Sequence, residues 1–168
     1  TLDRSSAASD VYKRQAMKSG AKPALSLTGR ALRLLGTREH SRAELERKLA
    51  PHAEEPGALD KTLDALQAKG FINETRVLES VVHRRAGKLG ASRIQHELQA
   101  KGLAPEAVAE AVAQLRASEL ERARDIWRKK FGQPPQDAAE RAKQMRFLAS
   151  RGFGGDTIRK VVSGADDD

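Results

Sequence analysis

The sequence predicts an all-α protein: three tandem three-helix repeats forming an elongated, curved array. Three observations carry this expectation. Ala, Leu, Glu, Arg, Lys and Gln dominate while aromatic residues make up only 4% of the chain, which favours helix and leaves few strand formers. Apolar residues recur at helical spacing in nine segments separated by short breaks, with no convincing strand. Leu49, Leu98 and Leu148 stand 49 and 50 residues apart, and Gly102-Leu103 recurs 50 residues later as Gly152-Phe153. A period of that size marks stacked helical modules, each too small to bury its apolar face alone.

Residues 1–25 lack helical periodicity and read as a disordered leader. The string SSAASDVYKRQ resembles a translated adapter, and Met17 could be the native start. The first repeat, 26–72, opens with LTGRALRLL, which sets Leu27, Ala31, Leu34 and Leu35 on one face. Ser41 and Glu44 form a capping box for a helix that turns Leu45 and Leu49 inward. Leu59, Leu63 and Leu66 carry the third helix, stopped by Gly70.

The second repeat, 73–117, starts at Asn73, a good N-cap, and buries Val77, Leu78, Val81 and Val82. A break bracketed by Gly87 and Gly90 follows, then a helix with Ile94 and Leu98. Pro105 opens the next, with Val108, Val112 and Leu115 inward. In the third repeat, 118–163, Ser118 with Glu121 reads as a second capping box on a helix carrying Leu120, Ile126, Trp127 and Phe131. Asp137 caps the next, with Met145 and Leu148 inward, and Ile158, Val161 and Val162 mark the last. Residues 164–168 close the chain as an acidic tail.

The corners AKGFINE, AKGLAPE and SRGFGGD share one recipe. Glycine takes the left-handed conformation that ends a helix, a large apolar residue packs back, and a new helix starts. The corners at Gly102 and Gly152 join second to third helices and are equivalent. The corner at Gly70 joins one repeat to the next.

With no cysteine, disulfides and thiolate metal sites are excluded and a cytoplasmic setting is expected. No apolar run approaches membrane-spanning length. His40, His52, His83 and His96 share no helix face at metal spacing, and GFGGD follows no strand. Neither a catalytic centre nor a cofactor is expected. The net charge of +8 is uneven: residues 31–75 carry seven basic and eight acidic side chains, 76–101 six and two, and 116–160 twelve and six. Surplus positive charge on two later segments suits a polyanion such as nucleic acid. By charge position, Arg84, Arg85, Lys88, Arg93, Arg128, Lys129, Arg141, Lys143 and Arg146 are the candidate contacts. Trp127 lies on the apolar stripe of its helix and reads as core rather than as a base-stacking platform.

The segments LTGRALRLLGTREHSRAELERKL (27–49), LDALQAKGFINETRVLESVVHRRAGKLGASRIQHELQAKGL (63–103) and WRKKFGQPPQDAAERAKQMRFLASRGFGGDTIRKVV (127–162) together resemble the RecX family, bacterial regulators of the RecA recombinase. The likeness runs in order over essentially 26–162. It implies three tandem three-helix repeats and a non-enzymatic monomer. It also implies binding in the groove of the RecA–single-stranded-DNA filament, with duplex DNA a weaker ligand. Filament growth, ATP hydrolysis, strand exchange and co-protease activity would be restrained. The alternative is a helix-turn-helix-like DNA binder without a recombinase partner, against which no single helix concentrates base-reading side chains.

Overall fold

The computed structural model describes residues 24–164, so the expectations placed on 1–23 and 165–168 lie outside the described residues. The chain forms α1 (Leu27–Leu35), α2 (Arg42–Leu49), α3 (Ala58–Ala68), α4 (Glu74–Arg85), α5 (Ala91–Ala100), α6 (Pro105–Ala117), α7 (Glu119–Lys130), α8 (Ala138–Ser150) and α9 (Gly155–Ser163). A 3-10 turn, Ala50–His52, follows α2. Among the described residues there is no strand, and no helix is long and apolar enough to cross a membrane.

Three separate apolar cores hold the helices in threes. Leu45, Leu49, Leu63 and Leu66 centre the first, Val77, Val81, Ile94 and Leu98 the second, and Leu148, Phe153, Ile158 and Val161 the third. Leu98 and Leu148 are fully buried and Leu49 nearly so, which explains why these positions set the period.

Most ends form as their residues dictate. Ser41 and Glu44 close a complete capping box, and the Asn73 and Asp137 side chains accept the Arg76 and Glu140 amides. Ser118 does not cap with Glu121. Only this residue separates α6 from α7, and its backbone (φ −101°, ψ 4°) is not the extended form that aims an N-cap oxygen at the helix. Its hydroxyl instead donates to the Leu115 carbonyl and accepts from Arg122 Nε. The corner at Gly70 also departs from expectation. Leu103 and Phe153 pack back at their corners, but Phe71 stays 47% exposed and its neighbour Ile72 fills the core.

The repeats join end to end through their second helices. The Ser41 hydroxyl at the start of α2 donates to the Lys101 carbonyl at the end of α5 (2.6 Å), and Arg47 donates to Ala100 O (3.0 Å). Across the next junction the Gly90 amide at the start of α5 donates to the Arg151 carbonyl at the end of α8 (2.7 Å), and Arg93 donates to Ser150 O (2.6 Å). Each junction sets the electropositive start of one second helix, Ser41 or Gly90, against the electronegative end of another. Gly102 and Gly152 hold positive φ there, and a Cβ would meet Ala43 Cβ at 2.8 Å and Arg93 Cβ at 2.6 Å. Gly90 has an ordinary φ of −76°, yet a Cβ on it would lie 2.2 Å from Gly152 O.

Acidic side chains complete both junctions. Glu44 accepts from the Ser41 amide, Arg38 and the buried Lys101 ammonium (2.8 Å). Burial raises the Glu44 pKa, but the hydrogen bonds from Arg38, Lys101 and Ser41 outweigh it and hold the carboxyl at about 2. Gly90 offers no capping side chain, so Glu119 of α7 caps α5 from the neighbouring repeat by accepting the Ala91 amide (2.9 Å). Buried His40 is held neutral, because desolvation lowers its pKa. Its Nδ1 donates to Arg38 O and its Nε2 accepts from Lys48.

Two outcomes follow. Gly90→Ala is expected to cost about 1–3 kcal/mol through overpacking. Gly87→Ala, where a Cβ meets nothing within 4 Å, should be neutral or stabilising by under about 1 kcal/mol. Thermal unfolding of the pair checks this, and equal melting temperatures would contradict the docking role of Gly90. Because the folded pKa of Glu44 is depressed, its contribution is complete above the ordinary carboxylate range and is lost as pH falls toward about 2. The stability gap between wild type and Glu44→Gln should therefore shrink on acidification, as read by urea unfolding. A gap that is constant down to strong acid would contradict this assignment.

Candidate nucleic-acid interface

The nine candidate contacts fall into two groups on different repeats. Arg84 and Arg85 end α4, Lys88 lies in the turn that follows, and Arg93 opens α5. The cations of the α4 end sit where a helix C-terminus favours them. Arg84 is exposed and donates to the Ser80 carbonyl of its own helix (3.3 Å). Arg85 is half-buried and paired with Glu97 of α5 (2.9 Å). Lys88 is exposed. Arg93 is exposed but committed to the Ser150 carbonyl, so it braces the second junction as well as presenting charge.

The second group lies on the third repeat. Arg128 and Lys129 are exposed on the last turn of α7, with Arg128 loosely paired to Asp125 (3.3 Å). Arg141, Lys143 and Arg146 are exposed along α8. The structure joins α7 to α8 through Trp127, whose Nε1 donates to the buried Gln144 Oε1 (2.7 Å). Trp127 packs against the third core. Lys143 also edges a 220 Å³ surface cavity beside Gln133, Gln136 and Phe131.

Other basic residues prove structural. Lys101 is buried against Glu44. The Arg122 guanidinium donates to the Ala86 and Leu89 carbonyls (both 2.7 Å) and to Leu115 O (2.9 Å), tying the ends of α4 and α6 together. Burial pulls the Arg122 pKa down, against the opposing field of Glu119.

Two features escaped the reading of charge by segment. Phe147, half-buried on α8, holds the Arg151 guanidinium over its ring at 4.6 Å and the Lys130 ammonium at 5.9 Å, with Phe131 packed edge-on at 5.3 Å. In the first repeat, Arg30, Arg33, Lys48 and His52 surround a 290 Å³ cavity floored by Leu34 and Leu49. The near-neutral total of that segment concealed it. The i, i+3 spacing of Arg30 and Arg33 and the i, i+4 spacing of Lys48 and His52 were the available signal. Among the described residues no three His, Asp or Glu side chains gather as a metal site. The arrangement offers fixed positive charge and, at Phe147, a cation-flanked ring.

The family model for the second three-helix domain of RecX matches residues 73–112, and that for the third matches 117–162. The chain is 56% identical over 145 residues to the regulatory protein RecX of Leptothrix cholodnii, covering 86% of this chain and 92% of that one. It is 50% identical over 142 residues to the RecX of Ralstonia nicotianae, covering 84% and 89%. The crystal structure of RecX from Lactobacillus salivarius superposes with a TM-score of 0.65 at 19% identity, over 82% of this chain and 93% of that one. By these matches the chain belongs to the RecX family of regulatory proteins.

Proposed function

We propose that this protein is a non-enzymatic regulator that binds in the groove of a RecA–single-stranded-DNA filament. There it inhibits filament growth, ATP hydrolysis, strand exchange and co-protease activity, and so modulates DNA repair and the SOS response. The observation that carries the reading is the family membership, which spans nearly all the described helices. The docked second helices support it by linking three repeats, 26–72, 73–117 and 118–163, into one elongated, curved array that acts as a cytoplasmic monomer. Exposed cations on its second and third repeats would meet DNA phosphates along the groove, and each contact would release counterion. Arg84, Arg85, Lys88, Arg93, Arg128, Lys129, Arg141, Lys143 and Arg146 are the proposed contacts, with single-stranded DNA favoured over duplex.

Titrating this protein into a bacterial RecA hydrolysing ATP on single-stranded DNA is the direct test. Inhibition well below one copy per recombinase is expected. Intact DNA binding without inhibition would instead favour a plain DNA-binding protein. Replacing Arg141, Lys143 and Arg146 together by Ala should weaken DNA binding and flatten its salt dependence by roughly two to three phosphate contacts. The melting temperature should stay near wild type, since all three side chains are exposed. An unchanged salt slope would remove α8 from the interface.

A further inference from the structure

In the outer repeats the first and third helices pack on each other, α1 on α3 and α7 on α9. In the second repeat, α4 and α6 each pack on α5 but leave an open groove between them. Arg122 bridges their far ends by bonding the Ala86 and Leu115 carbonyls, so the groove has a fixed width at that end. Two adjoining cavities of 450 and 430 Å³ fill its length and share Leu78, Glu79, Ala111 and Gln114. From Glu74 to Ala86, α4 rises about 18 Å, room for three successive anchors of a docked helix.

The chemistry of the groove opposes that of the rest of the molecule. Its floor is apolar, built from Leu78, Val82, Ala107 and Ala111. Its charged edge is Glu74, Glu79 and Glu110, and no Lys or Arg lines it. None of these three glutamates is ion-paired within the described residues. On a chain of net charge +8 this is a local concentration of carboxylates without ion-pair partners around the partly buried Leu78 and Val82 and the exposed Ala107. Such an edge repels phosphates and anionic lipid headgroups. It attracts a ligand that brings cations beside an apolar stripe.

We propose that the α4–α6 groove is a docking site for a basic amphipathic helix of a protein partner, with the partner's apolar face on Leu78, Val82 and Ala111 and its Lys or Arg residues against Glu74, Glu79 and Glu110. The site is separate from the basic contacts assigned to DNA and does not depend on that assignment. Overall repulsion by the positive chain sets its selectivity, because a cationic helix gains only where the local field reverses.

A fluorescein-labelled Leu/Lys peptide of about five helical turns, with Leu at i, i+3, i+4 and i+7, is the probe. Fluorescence anisotropy at near-physiological salt should show it binding the full chain. The double variant Glu79→Lys/Glu110→Lys should bind at least about tenfold more weakly. Ala107→Trp, which fills the groove from an exposed position, should bind as weakly while its melting temperature stays near wild type. Unchanged binding in both variants would overturn the proposal. Equal binding of a peptide of the same composition with the Leu residues scattered around the helix would do so too. Sedimentation showing a dimer that Ala107→Trp dissociates would make a second copy the occupant, and the proposal would fail.

Discussion

The array depends on one contact made twice: the start of a second helix seated on the glycine-terminated end of the next repeat's second helix. Each three-helix unit buries its own small core, so the cores account for the repeats but not for their joining. What joins them is the close approach of main chain at Lys101–Gly102 and Arg151–Gly152, where unsatisfied carbonyls at one helix end meet donors at another helix start. Glycine is required there on two counts, positive φ and lack of space, which is why the corner recurs at a fixed distance.

That double requirement explains what could be read from the chain. Among the described residues, the nine helices, most of their caps and the fifty-residue period were legible, because Leu49, Leu98, Leu148 and the corner glycines are local signals of burial and turn geometry. Gly90 was visible only as a break. Its real constraint is the proximity of Gly152 O, sixty-two residues downstream, which no local pattern reports. Ser118 misled because a Ser-x-x-Glu spacing presumes an extended cap, and the near-continuity of α6 and α7 removes it. Phe71 misled because the corner recipe does not say which of two adjacent apolar residues faces the core.

The candidate interface was less legible for a similar reason. Counting charge by segment finds surplus but cannot tell a cation facing solvent from one spent on structure. Lys101 and Arg122 belong to the second kind, held by Glu44 and by helix-end carbonyls. Arg93 belongs to both. Conversely, the apolar groove with its glutamate edge escapes a count, since it arises only when α4 and α6 are set side by side.

The two junctions differ in material. The first is built from ionised side chains, Glu44 between Arg38 and Lys101, around a serine hydroxyl. The second rests on an amide-to-carbonyl bond between Gly90 and Arg151, with charge in a supporting place. Two rods coupled in series by unlike fasteners give way at the one whose strength the surroundings can alter. Strong acid acts on the first by protonating Glu44, and it leaves the main-chain bond of the second largely untouched. The first junction thereby carries a dependence on acid that the main-chain bond of the second lacks.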